Sequence, residues 1–308
     1  MLANPMRASL PSSPWKFCVD SQLKAVAYGV TGSWADAEEI VQEAHVRLLD
    51  SERNPDSEAA YLYRVVCNLA YDHLRKEKVR RKHYFGPWLP EPVADDHFEQ
   101  VEFQQELTLG FMLLLDLLSP AERIVFVLHE VFDFKHTEIG ELLGVPIPTI
   151  RQRFSRARSR LKTEGLALDT MGTTTPPDEV KVLLEKMMAL VFAGDVDGFI
   201  DLMSEDAVAL TDGGGIVSAA VRPVTSPQRI AQVVMHLVQK NMRLDEIELD
   251  IRAINHSWAI VMQERGVFHS MTTLELQQNQ IRRIYVVRNP TKVEGITSGS
   301  QQKGDQGR

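Results

Sequence analysis

A chain of 308 residues exceeds what one compact domain usually holds, so two or three modules are expected. Hydrophobic residues at 44% allow real cores, while no run approaches the roughly 20 apolar residues of a membrane span, which excludes a membrane protein. The net charge of -8 averages over segments of opposite sign and says little about partners by itself.

Residues 1–14 lack a long apolar stretch and read as a loose start, not a signal peptide, so a cytoplasmic protein is expected. Cys18 and Cys67 stand far apart with no CxxC, each reading as a small buried hydrophobe. Neither a metal nor a cofactor is called for. In "WADAEEIVQEAHVRLLD", Ala37, Ile40, Val41, Ala44 and Leu48 recur at helical spacing. That leaves Asp36, Glu39, Gln42 and Glu43 facing outward on an acidic amphipathic helix. A second helix follows, with Leu62, Val65, Val66 and Leu69 on one face, Tyr61, Tyr63 and Tyr71 along it, and six basic residues among the eight from Arg75 to Lys82. Basic residues beside aromatics are what stacking on unpaired bases requires.

From His83 to Leu118 there is no Lys or Arg, and the proline-bearing "GPWLPEPVADD" reads as an extended linker. Beyond it, "TEIGELLGVPIPTIRQRFSRARSRL" has the helix, Gly-containing turn and second helix of a helix-turn-helix, with Pro148 in the first turn of the second helix. Leu142 and Leu143 are placed to pack under Ile150 and Phe154. Six Arg and Lys fall between Pro148 and Lys162 with no acid among them. Arg can reach guanine in bidentate fashion, Gln can pair with adenine, and Thr or Ser can donate to bases or phosphates.

After the Thr/Pro linker "DTMGTTTPPDE" the texture becomes α+β. Helices are expected at about 177–192, 195–203 and 227–240, followed by strands that include "EIELDIRAI" and "QIRRIYVVRNP". Asp212 in "DGGG" is the one candidate general base, with His236, His256 and His269 behind it, but an Asp before three glycines is explained by a turn and the histidines lack metal or triad spacing. No catalysis is expected.

Three stretches carry a family resemblance. "GSWADAEEIVQEAHVRLL", "YLYRVVCNLAYDHLRK" and "LSPAERIVFVLHEVFDFKHTEIGELLGVPIPTIRQRFSRARSRL" resemble, in order, the polymerase-docking helix, the promoter-melting helix and the second DNA-binding domain of extracytoplasmic-function sigma factors. The resemblance implies a protein that binds core RNA polymerase and directs it to promoters. Asp36, Glu38, Glu39, Gln42 and Glu43 then match the helix that docks on polymerase. The loop "RNPDSEAA" with Asn68, Asp72, Arg75 and Lys76 matches the part that captures unpaired bases of the minus-ten element. Thr149, Arg151, Gln152, Arg153, Ser155, Arg156 and Arg158 match the minus-thirty-five recognition helix. Gly140 departs from the usual small Ala, and Pro146 and Pro148 bracket the turn.

Further along, "WLPEP" (Trp88, Leu89, Pro90, Glu91, Pro92), "DGGG" (Asp212, Gly213, Gly214, Gly215) and "NPTK" (from Asn289 and Pro290) resemble signatures of the subgroup with a fused C-terminal SnoaL-like domain. In that subgroup the fused domain is thought to regulate the sigma domains, and a contact between "WLPEP" and "DGGG" is expected. The implied architecture is multidomain: two all-α sigma domains at 15–82 and 95–168, a linker at 83–94, a second linker at 169–177, an α+β SnoaL-like cone at 178–293 and a disordered tail at 294–308. The resemblance also implies a pocket in the cone that can take a small ligand. Two other readings stay open at this point. One is a helix-turn-helix regulator with a ligand-sensing domain, the other an isomerase-like enzyme tethered to DNA.

Overall fold

The computed structural model describes residues 19–50, 57–98, 101, 103, 106–163, 177–241, 247–293 and 296. The expected loose start, most of the second linker and nearly all of the tail lie outside the described residues, as does 53–56 of the "RNPDSEAA" loop.

Three helices open the chain: α1 (Val19–Thr31), α2 (Trp34–Leu49) and α3 (Glu58–Arg80). The Ser33 hydroxyl caps α2 by accepting from the Asp36 N–H at 3.2 Å, and Ser57 caps α3 in the same way. After an extended stretch come α4 (Leu109–Leu115), α5 (Pro120–Phe126, continued by a π-helical turn, Val127–Val131), α6 (His136–Leu143) and α7 (Ile147–Thr163). Ser119 and Glu122 form a reciprocal capping box with Pro120 in the first turn of α5. Gly144, at φ 63°, ends α6 so that α7 can cross it. The Gly140 departure has a steric cause, because a Cβ there would stand 3.0 Å from the Val145 carbonyl oxygen in the turn.

These seven helices share one apolar cluster that runs from Leu23 to Leu161. Tyr63 of α3 meets Phe134 edge-on at 5.7 Å, so the segment before the helix-turn-helix rests on the promoter-melting helix of the sequence reading. A buried polar joint reinforces this contact. Asp116, between α4 and α5, accepts from Arg81 at 3.0 Å and from the fully buried Arg123. Arg81 also donates to the Thr31 carbonyl at 2.8 Å, and Lys78 donates to the Asp116 and Leu118 carbonyls.

The C-terminal part has α8 (Pro177–Ala193), α9 (Val196–Asp201) and α10 (Pro227–Asn241) with β1 (Met203–Asp212), β2 (Val224–Thr225), β3 (Ile247–Ile254), β4 (Ser257–Glu264), β5 (Val267–Gln277) and β6 (Gln280–Val287). The strands form one sheet in the order β2-β1-β6-β5-β4-β3, antiparallel except for β1 beside β6. One face packs on the three helices. The other buries Ala259, Val261, Met271, Tyr285 and Val287 against Leu89 of the linker and Leu109 of α4. Both faces being covered explains why Ala259, Ile260 and Val261 are buried in succession where a one-sided strand would alternate.

Arg123→Ala would leave Asp116 short of a partner inside the joint. Unfolding in urea should show a loss of about 3–5 kcal/mol, the cost of breaking a buried pair. A loss below about 1 kcal/mol, the scale of a surface pair, would contradict the burial.

Candidate functional site

The face of α2 available to a partner is narrower than the sequence expects, and partly apolar. Glu39, Gln42 and Glu43 are exposed, but Asp36 is half-buried and pairs with His73 of α3 at 3.0 Å, while Glu38 pairs with Lys24 of α1 at 2.8 Å. These two carboxylates hold the three helices together. The Asp36 hydrogen bond raises the His73 pKa above its ordinary value, so this pairing is fully present below about 6.5 and is lost as pH rises through the folded-state pKa. Val46 and Leu49, 51% and 84% exposed, extend the same helix surface and were not singled out from the sequence.

On α3, Asn68, Asp72, Arg75 and Lys76 lie together on an exposed face. The tyrosines do not join them. Tyr63 is core, Tyr71 packs against the core, and the Tyr61 hydroxyl points to the Arg47 carbonyl at 3.4 Å. The basic run is likewise divided, since Lys78 and Arg81 are spent inside the joint with Asp116. The second DNA-reading segment packs on α3 at two places, Phe134 against Tyr63 near its start and Asp116 against Lys78 and Arg81 at its end. Cys67 is buried on the same helix and its thiol is pushed up to about 12 by burial, as a small core residue.

On α7, Arg151, Gln152, Ser155, Arg156 and Arg158 are exposed, with Thr149 and Arg153 partly so. Their opposite face seats Ile150, Ala157 and Leu161 in the core. The two candidate nucleic-acid faces are therefore presented by one packed body.

The extended segment 84–94 is fastened on both sides. Asp212, fully buried, accepts from four donors: the Tyr84 hydroxyl at 2.6 Å, the Leu89 N–H at 2.9 Å, the Gly214 N–H at 3.0 Å and the Lys292 ammonium at 2.6 Å. Lys292 also donates to the Leu89 carbonyl, and burial pulls its pKa down to about 8 against the opposing Asp212 charge. Trp88 is sandwiched, with the Arg81 guanidinium 3.3 Å from its ring centre and the Lys292 ammonium 4.3 Å from it. Gly214 sits at φ 62°, where a Cβ would stand 2.4 Å from the Asn289 amide nitrogen. Asn289 donates to the Tyr84 hydroxyl at 2.9 Å and caps the turn at Pro290–Lys292; Pro290 is exposed and Gly213 buried, while a Cβ on Gly215 would stand 3.2 Å from Phe85.

Towards the helices, Glu91 reaches α2. Its carboxylate accepts from the Trp34 N–H at 2.7 Å, the Ser33 hydroxyl at 3.0 Å and the Ala35 N–H at 3.3 Å, a negative charge on the helix N-terminus. Pro90 and Pro92 are buried around it. At the far end the β3–β4 turn closes the clasp. Asn255 accepts from the Val93 N–H at 2.9 Å and donates to the Tyr28 hydroxyl at 2.7 Å and to the Leu107 carbonyl at 3.0 Å. His256 stacks on Phe98 at 5.0 Å, and burial pushes its pKa down to about 4. Lys292 falls within the "NPTK" signature, whereas Tyr28, Tyr84 and Asn255 escape a sequence reading, because single polar residues far apart in the chain carry no local pattern. The histidines do not gather around Asp212: His236 is exposed on α10, His256 stands beside Asp95, and His269 bonds Arg288.

Comparison with known proteins decides the family. Profiles of Sigma-70 region 2 and Sigma-70 region 4 match residues 19–80 and 109–161. The ECF RNA polymerase sigma factor SigJ of Mycobacterium tuberculosis is 30% identical over 285 residues, 89% of this chain and 90% of the relative. The chain is an extracytoplasmic-function sigma factor. The crystal structure of M. tuberculosis SigJ matches with a TM-score of 0.70 at 28% identity, covering 90% of this chain and 96% of that one. A probable ECF sigma factor, SigI of the same species, is 28% identical over 64% of this chain and 69% of the relative. The architecture is thus helical sigma domains followed by a SnoaL-like α+β domain, and the protein directs core RNA polymerase to promoters. No described helix is long and apolar enough to cross a membrane.

Asp212→Asn would turn an amide donor toward the donors that now surround Asp212, leaving Lys292 without its counter-charge. Hydrogen exchange of segment 84–94 should accelerate at least tenfold, while the α3 core exchanges unchanged. An unchanged rate in 84–94 would show that Asp212 does not hold the segment.

Proposed function

We propose that the C-terminal domain regulates this sigma factor in cis, holding its two promoter-reading parts at a spacing that promoter DNA does not allow. The minus-ten and minus-thirty-five elements are about 25 base pairs apart, roughly 85 Å of B-DNA at ~3.4 Å per pair. In the described arrangement α3 and α7 belong to one apolar cluster, and α3 packs directly on α6. Most of the base-reading side chains on both helices remain exposed, with Thr149 and Arg153 partly so, so the restraint acts mainly on geometry. The observation that carries this reading is the Asp212 carboxylate, which binds the linker between the two reading parts to the C-terminal sheet.

On this reading Glu39, Gln42, Glu43, Val46 and Leu49 form the polymerase-docking surface, with Asp36 and Glu38 setting its shape. Asn68, Asp72, Arg75 and Lys76 engage the opened minus-ten strand, and Thr149 to Arg158 read the minus-thirty-five duplex. The activity is binding alone. Asp212, with four donors on its carboxylate, has a structural task and no free lone pair directed at a substrate.

Run-off transcription with purified core polymerase on a genomic promoter pool tests both parts. Glu39→Arg with Glu43→Arg should abolish polymerase binding and leave DNA binding by α7 intact. Asp212→Asn should change transcript yield severalfold through release of the clasp. A sigma factor insensitive to Asp212→Asn would remove the cis-regulatory role, and charge reversals without effect on polymerase binding would take the docking surface off this face of α2.

A further inference from the structure

The helix-covered face of the sheet carries a cavity that no contact described so far uses. It lies between α8, α10 and strands β3 to β6 and encloses about 490 Å³, within the size range of small-molecule sites. Its walls are mainly apolar, with Met187, Val238, Ile260, Met262 and Ile284 among them. Phe192, Leu237 and Leu249 also line it and are 49%, 41% and 39% exposed. Large apolar side chains facing open space around a concave site are surface that a ligand would remove from water.

One cation stands in this apolar setting. Arg288, just beyond β6, donates to the Ser218 carbonyl and to His269 at 3.1 Å, while its Nε is shielded from solvent and has no hydrogen-bond partner. Among the described residues no carboxylate lies within ion-pairing distance of Arg288. Burial and the Arg288 charge both lower the His269 pKa, so this histidine is neutral near pH 7 and leaves the guanidinium charge unbalanced. By contrast, Arg81 is paired with Asp116 and Arg283 with Glu275. A guanidinium lining an apolar cavity with no carboxylate beside it selects for an anion, and a carboxylate matches its planar geometry.

We propose that this cavity binds a free amphipathic carboxylate, with its hydrocarbon body among the apolar walls and its head group on Arg288. A purely apolar ligand would leave the guanidinium unanswered, and a small hydrophilic anion would leave the walls uncovered. The site is also wired to the clasp. The Arg288 N–H donates to the Asp212 backbone carbonyl at 2.7 Å, and the next residue, Asn289, holds the Tyr84 hydroxyl. A ligand on Arg288 therefore pulls on the residue adjoining the Asp212 contact.

The test uses the full chain and dansylundecanoic acid as the probe, displaced by dodecanoate or by methyl dodecanoate. The account expects saturable binding, displacement by dodecanoate at least tenfold stronger than by the ester, and weakening of about 10- to 100-fold in Arg288→Ala, the scale of a charge-assisted hydrogen bond. Leu237→Trp, at an exposed lining position, should block the cavity and abolish binding, which keeps the test readable should Arg288→Ala fold poorly. No saturable binding, equal competition by acid and ester, or binding that survives both substitutions would overturn the proposal. Occupancy is read without transcription, so its failure and that of the cis-regulatory reading are distinguishable.

Discussion

The arrangement of the whole protein depends on one buried carboxylate. Asp212 is the last residue of a central strand of the C-terminal sheet, and its partners come from the linker, from the glycine turn beside it and from the turn after β6. A buried charge is tolerable only when paired and fully hydrogen-bonded, which makes such a site all-or-none. The linker must be in place for Asp212 to be satisfied. With the linker held, Leu89 fills the outer face of the sheet and Trp88 bridges Arg81 to Lys292, so the clasp reaches the joint between the helical parts.

That continuity gives the proposed regulation its physical form. The same Arg81 that stacks on Trp88 binds Asp116, and Asp116 binds Arg123 under the second promoter-reading part. Glu91, two residues beyond Leu89, accepts from the first N–H groups of α2, the helix proposed to carry the polymerase-docking surface. Loosening segment 84–94 would therefore weaken the closed spacing and withdraw the Glu91 charge from the N-terminus of α2 together. Because most of the base-reading side chains are exposed, the proposed switch is one of relative position, and it requires differential affinity of polymerase and promoter for the open form.

The helical parts were legible because their signals are local: caps, a glycine-terminated helix, apolar residues at helical spacing and a basic run without acids. The same signals misled where tertiary packing reassigns a residue. Lys78 and Arg81 look like solvent-exposed phosphate contacts in sequence and are internal donors in the structure, and Tyr63 looks available for stacking and is core. Asp36 and Glu38 look like a free acidic face because the chain does not show that His73 and Lys24 stand opposite. Among the strands, β3 and β6 were read from β-branched and aromatic content, whereas β1 was missed because "MSEDAVALTD" mixes acidic and small residues. "WLPEP" and "DGGG" stand out only through family resemblance. Their partners Tyr84 and Asn255 are beyond its reach, since each acts only through contacts made by folding, while Lys292 lies in the "NPTK" signature without its role being legible there.

The most direct test of the central claim is the distance between the two reading parts, measured by pulsed electron spin resonance. Spin labels would be placed at Val79→Cys and Glu141→Cys in a Cys18→Ser background. The free protein should give one short, narrow distribution, and the complex with core polymerase on promoter DNA a distance longer by tens of ångströms. A broad or long distribution in the free protein, or no change on promoter binding, would contradict a closed form held by the C-terminal domain.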